Sequence, residues 1–173
     1  MRAYPAIIPA MILLALSGGC APSAPSRAVW APPPGEPPVL EADAPAERID
    51  AWKADYLRAG EYVEATSDDS RVTLFLPGSL RRTGPVRMEA TFRSELFRPR
   101  FADGQWLRSI RKRMEIDCAA LRYRELTVQG FAGSNMTGPV PPITPPVDWS
   151  GPFTPDSSAG SGLKQVCERI FAP

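Results

Sequence analysis

The 173-residue chain contains no histidine. That single absence removes imidazole both as a metal ligand and as a general base, and with it most zinc sites and every nucleophile that a histidine must activate. Nor is there a Gly-x-Ser-x-Gly elbow. Ser134, although preceded by glycine in Ala132-Gly133-Ser134-Asn135-Met136-Thr137-Gly138, is therefore read as a turn residue. Glu115 and Asp117, on one predicted strand, cannot form a glycosidase pair without a partner acid across the sheet, and no carbohydrate groove is evident. Asn135-Met136-Thr137 fits a glycosylation sequon and is read as a chance match. The expectation is a protein that is not an enzyme and that uses no cofactor and no metal. Net charge is also nearly missing, at +1, which speaks against a nucleic-acid partner held by bulk charge. The longest apolar run, Ala6 to Leu16, is too short to span a bilayer comfortably.

That run is nevertheless informative. It follows Met1-Arg2 and precedes the small residues Ser17-Gly18-Gly19 and then Cys20, which is the layout of a secretory signal over residues 1–20. A cysteine directly after small residues resembles a bacterial lipobox, making Cys20 the candidate lipidation site and membrane anchor. Ser17 stands where an aliphatic residue is usual, with Leu16 one place early. Ordinary signal-peptidase cleavage in the following Ala/Pro stretch remains the alternative. Either way the protein is expected to be exported.

The chain has 21 prolines, and eight of them fall in residues 21–47. Such a segment buries too little apolar surface to fold and is expected to be a disordered, extended tether. At ~3.1 Å per residue it would reach up to ~80 Å from an anchor. Residues 48–173 then form one domain, all that the length allows.

Within it the pattern has period two, the mark of strands. Val72, Leu74 and Leu76 share a face. Met88, Ala90, Phe92 and Leu96 alternate with Arg87, Glu89, Arg93 and Glu95, and Ile110, Met114, Ile116 and Cys118 with Arg111, Arg113, Glu115 and Asp117. Each reads as an antiparallel strand with one face in water. Between Leu121 and Phe131 the parity changes, which a bulge near Arg124-Glu125 or apolar contact on both faces would explain. Turn chemistry separates the runs at Ser67-Asp68-Asp69-Ser70, Pro77-Gly78-Ser79, Thr83-Gly84-Pro85 and Ala102-Asp103-Gly104, and residues 132–156 read as a long surface loop. Leu163, Val166, Cys167 and Ile170 recur at i, i+3, i+4 and i+7, one stripe of a terminal helix that Gly160 and Gly162 weaken. Trp52, Trp106 and Trp149 read as core or sheet anchors.

With Cys20 assigned to the anchor, two thiols remain in a chain bound for an oxidising compartment, and a Cys118–Cys167 disulfide is the expected use of them. A loop of about 50 residues implies ~4 kcal/mol in the chain-entropy account.

Charge is unevenly placed. Residues 36–70 hold ten acids against three bases, and residues 81–124 hold twelve bases against five acids. Arg87, Arg93, Arg111, Arg113, Arg122 and Arg124 fall on predicted strands, mostly at outward parity. They are the candidate binding stripe, suited to sulfated glycans, acidic matrix proteins or lipopolysaccharide phosphates. The plainer reading is that they pair across strands with Glu89, Glu95, Glu115 and Asp117.

Three stretches resemble one family, the surface-adhesin protein E-like envelope lipoproteins of Gram-negative bacteria. They are Phe75 to Val86 with its Pro-x-Ser turn, basic pair and Gly turn; Arg113 to Arg124 around Asp117-Cys118; and the closing set Trp149, Pro155, Ser157 and Cys167. Leu76 departs from the family's usual acid at that place, and residues 44–66 match only loosely. The resemblance implies an α+β fold, an antiparallel β-sheet of about six strands with a C-terminal α-helix pinned by the disulfide. It also implies an outer-membrane or surface location, a dimer through sheet surfaces, and adhesion to host or extracellular-matrix macromolecules. The alternative is a periplasm-facing structural or envelope-stress lipoprotein with no host ligand, whose partners would be other envelope proteins.

Overall fold

The computed structural model describes residues 29–171; the leader, Cys20 and the first part of the tether lie outside the described residues. The elements run α1 (Ala46–Tyr56), β1 (Val63–Ser67), β2 (Arg71–Phe75), β3 (Arg81–Arg82), β4 (Arg87–Ala102), β5 (Gln105–Asp117), β6 (Arg122–Phe131) and α2 (Ser158–Phe171), with a single 3-10 turn at Pro77–Ser79 between β2 and β3. They build one six-stranded antiparallel sheet in the order β1-β2-β4-β5-β6, with the short β3 also paired to β4. The α+β expectation holds.

The β4–β5 hairpin is its spine. Asp103 and Gly104, at φ 49° and 76°, supply the two successive left-handed residues that a tight hairpin turn between right-twisted strands requires. On β6, Arg113 of β5 is opposite Thr127 but Met114 is opposite Glu125, which leaves Leu126 as an extra residue. That bulge, one step from the expected place, accounts for the change of parity along β6.

One face of the sheet is covered as the sequence implies. Phe75, Met88, Ala90, Phe92, Met114 and Ile116 pack against Leu163, Val166 and Cys167 of α2. Ser157 caps that helix by accepting the Gly160 N–H at 3.1 Å. The Cys118–Cys167 bond, with Cα atoms 5.8 Å apart, fastens the helix to the end of β5. Gly160 is more than a weak helix former here. A Cβ on it would lie 1.9 Å from the Thr154 carbonyl oxygen, so only glycine lets the incoming loop pass so close.

The other face differs from expectation. The half nearest the β4–β5 turn is buried too, beneath a segment read as tether. Leu40, in the segment before α1, and Trp52, in α1, pack on Val72, Leu74 and Phe97, with the Trp52 ring edge-on to Phe97 at 5.1 Å. Trp52 donates its indole N–H to the Pro38 carbonyl, and Leu40 donates its amide to the Phe97 carbonyl. From Glu36 to Pro45 the chain is thus part of the domain, which begins well before residue 48. Prolines suit this docking, since an extended segment needs few N–H partners.

Candidate binding face

The uncovered half of that second face lies toward the other end of β4, β5 and β6. Register places its side chains in rows across the strands. The first row holds Arg87, Asp117 and Arg122; the second Arg81, Glu89, Glu115 and Arg124; the third Thr91, Arg113 and Thr127; the fourth Arg93, Arg111 and Gln129. Five of the six stripe arginines therefore do share one face and one continuous surface.

Their electrostatic situations diverge. In the second row the like-charged Glu89 and Glu115 stand directly opposite one another, and an arginine on each outer strand offsets them: Arg81 lies 3.0 Å from Glu89 and Arg124 2.6 Å from Glu115. In the first row Asp117 lies 3.5 Å from Arg122 and 4.0 Å from Arg87. Beside this row the Trp149 ring gathers three guanidinium groups, those of Arg87, Arg122 and Arg124, at 5.1 to 5.4 Å from its centroid. Arg111 and Arg113 are exposed, and among the described residues neither has an ion pair. The pairing reading thus describes the first two rows, and the uncompensated cations are Arg113 in the third and Arg111 in the fourth.

Arg93 is a correction. It is 2% exposed and does not belong to the open face. Its Nε donates to Glu95 at 2.6 Å, its Nη1 to the Arg58 carbonyl at 2.8 Å and its Nη2 to Asn135 Oδ1 at 2.7 Å, while Tyr62 lies under its guanidinium. Glu95, fully buried rather than outward, also accepts the Asn135 amide. Burial raises the Glu95 pKa, against the lowering effect of Arg93 and that amide. The β-alternation rule fails at these residues because α1 and the 36–45 segment convert a solvent face into an interior one.

A second buried pair adjoins this one. Arg108 is wholly buried and donates from Nε to Glu36 at 3.0 Å and from Nη1 to the Phe97 carbonyl at 3.2 Å. Burial lowers its pKa, while the charge and hydrogen bond of Glu36 hold it up, so it remains a cation. Glu36 also accepts from the Ser134 amide and hydroxyl. The Ser134 hydroxyl is thus 3% exposed and committed to a carboxylate in a structural contact, at the turn where the sequence places it. Asn135 closes the same turn in a left-handed conformation, φ 55°, and donates its side-chain N–H to the Tyr56 carbonyl, so its amide is engaged in the fold. Nothing in the alternation of β4 and β5 marks Arg108 or Glu36 for burial. The one signal was the apolar pair Leu40 and Trp52 in an otherwise acidic, proline-rich stretch.

A half-open cavity of about 90 Å³ lies between the first turn of α2 and the sheet, lined by residues that include Thr66, Arg71, Lys112, Tyr123 and Leu163. Glu95, the carboxyl with a raised pKa, is not among its lining residues.

The chain has counterparts among known proteins. The sequence profile of the family Surface-adhesin protein E matches residues 61–168. The chain belongs to that family. No curated protein matches it. Solved structures of Haemophilus influenzae protein E do. A second crystal form of that protein is 13% identical, with a TM-score of 0.50 over 64% of this chain and 89% of that one. Another structure of it gives 0.49 at 13% identity, over 64% of this chain and 86% of that one. The structure from a non-typeable strain gives 0.47 at 13% identity, over 62% and 76%. At that identity the first likeness speaks to the fold alone. No helix among the described residues is long and apolar enough to cross a membrane. As a member of the adhesin E family the protein is a surface adhesin by type, with α1 and the docked 36–45 segment preceding the matched region.

Proposed function

We propose that the protein is exported through residues 1–20, acylated at Cys20, and displayed at the outer membrane, where the open face of β4, β5 and β6 recognises a host or extracellular-matrix macromolecule without catalysis. The observation that carries this reading is the pair of exposed, uncompensated arginines, Arg111 and Arg113, on one face of the sheet in a surface-adhesin family member. Positive potential on an exposed surface accelerates and orients encounters with acidic partners. The buried charges Arg93, Glu95, Arg108 and Glu36 are held in structural pairs and take no part in recognition. A hydrolase reading finds less support, because Ser134 is locked to Glu36 and the raised carboxyl of Glu95 is sealed behind Arg93. Sheet-mediated self-association through the open rows would bring Arg111 and Arg113 of two copies together, so a homodimer would use other surfaces.

Surface labelling tests the reading. In cells producing the protein, a membrane-impermeant protease should cut it without outer-membrane disruption, and a deletion strain should adhere less to a host-matrix layer. Protection until the outer membrane is opened would favour the periplasm-facing structural role. Mass spectrometry of the mature N-terminus tests acylation at Cys20, and an unmodified terminus downstream of it excludes the lipid.

A further inference from the structure

The open face differs from a surface built for another protein. Protein interfaces take their energy from a desolvated centre of aromatic and aliphatic anchors within a polar rim. Between the cations of the third and fourth rows stand Thr91, Thr127 and Gln129. The large apolar side chains exposed among the described residues are Val29, Val39, Tyr56, Val86 and Val147, and none belongs to β4, β5 or β6. A lipid surface would likewise need an apolar wedge beside the charges.

The cations are instead distributed along the strand direction: Arg111 and Arg113 without acids beside them, and beyond them arginines that flank Glu89, Glu115 and Asp117. Arg111 and Arg113 point the same way from one strand, about 6.6 Å apart given a rise of ~3.3 Å per residue. Farther along the same face come Arg124 and Arg81 in the second row, then Arg87 and Arg122 in the first, where Trp149 holds the guanidinium groups together. Arginine presents a planar fork of N–H donors that suits the oxygens of a sulfate, and it gives up hydration more readily than lysine. Such forks repeated at successive rows of one face match an extended chain whose anions repeat along its length. It matches a compact acidic protein poorly.

From this charge complementarity we infer that the ligand of the open face is a sulfated glycosaminoglycan lying along the strands, with Arg111 and Arg113 as its principal sulfate contacts and the Trp149 cluster as a second contact nearer the far end. The inference rests on the recognition role proposed above and assigns that role a ligand class.

The test uses the full mature chain on immobilised heparin and on chemically desulfated heparin, with NaCl steps. Wild type should bind heparin, release as salt rises, and ignore the desulfated polymer. The R111S/R113S variant should lose about tenfold or more in affinity, equivalent to ~1.4 kcal/mol, whereas R48S/R100S, which removes the same charge from exposed sites away from the open rows, should lose little. Thermal melts of both variants establish that they fold; a misfolded double variant is replaced by the single changes Arg111→Ser and Arg113→Ser, each expected to weaken binding in part. Equal losses in the two double variants, or equal binding to desulfated polymer, overturn the assignment. Adhesion of producing cells to a host layer treated with heparin lyase separates the two levels. Loss of adhesion on lyase treatment supports the ligand class, whereas adhesion that survives the lyase removes the glycan and leaves the adhesin reading standing.

Discussion

Glu36 and Ser134, 98 residues apart in sequence, meet through a 2.5 Å hydrogen bond from the serine hydroxyl to the carboxylate. The same carboxylate takes the Ser134 amide and the Nε of Arg108, so one side chain from the presumed spacer satisfies three buried donors. Replacing Glu36 by Ala leaves a wholly buried guanidinium without its counter-charge, and breaking a buried pair from one side costs about 3–5 kcal/mol. The expected outcome is a loss of that size in urea unfolding, accompanied by new proteolytic cleavage between residues 37 and 45. The double variant E36A/R108M should recover much of the loss, because no charge is then stranded; equal instability of the double and the single would contradict the account.

Two carboxyls should act on stability in opposite directions. Burial raises the Glu95 pKa above its unfolded value, so the native state binds the extra proton. Stability from this group is fully present below pH ~4.5 and is lost as pH rises through the raised value. Asp68 is the reverse. Burial works against its charge, but the Ser70 hydroxyl and the Ser70 and Arg71 amides outweigh that effect and lower its pKa. Its contribution is present above the ordinary aspartate range and is lost as pH falls through the folded value. Urea unfolding of wild type and the Glu95→Gln variant between pH 4 and 7 should show the falling limb in the first and a flatter profile in the second. With the series extended below pH 4, where Asp68 titrates in the folded state, the Asp68→Asn variant should lose part of the acid limb alone.

Helix propensity and packing make opposite forecasts for Gly160→Ala. Propensity favours alanine by about 1 kcal/mol in a helix. Packing opposes it, because the new methyl would meet the Thr154 carbonyl at 1.9 Å, and forced overpacking costs typically 1–3 kcal/mol. The variant should therefore be less stable by equilibrium unfolding, with hydrogen-exchange protection lost in α2. A more stable variant would mean that the loop before α2 is free to move aside.

Replacing Cys118 and Cys167 by Ala removes a link with a sequence separation of 49, worth about 4 kcal/mol in the loop-entropy account. The loss should fall first on α2, whose hydrogen exchange should quicken while the β4–β5 hairpin stays protected. A uniform increase in exchange would show instead that the sheet depends on the clamp as much as the helix does.

The alternation of Met88 to Phe92 and of Met114 to Cys118 fixes the two longest strands, and the stripe from Leu163 to Ile170 fixes α2, because in each case local period and final environment agree. The disulfide was readable from the count of thiols and the expected compartment. Arg93, Glu95 and Arg108 were not, since whether an outward side chain meets water depends on what a distant segment does. That segment hid itself: α1 begins after Pro45, carries one fully buried residue, Trp52, and sits among prolines and acids that resemble a linker. On the binding face, parity placed Arg111 and Arg113 correctly, but only the cross-strand register shows that no carboxylate stands opposite them.

The docking of Glu36 gives the molecule two poles. The N-terminal segment joins the sheet beside Arg108 and Ser134, near the β4–β5 turn, and the Trp149 cluster lies at the opposite end of the same strands. From Glu95 to Arg87 alone, β4 covers about 26 Å at ~3.3 Å per residue. Any surface that holds this protein by its leading end would therefore carry the arginine-rich tip outward, like a pin fixed at its head.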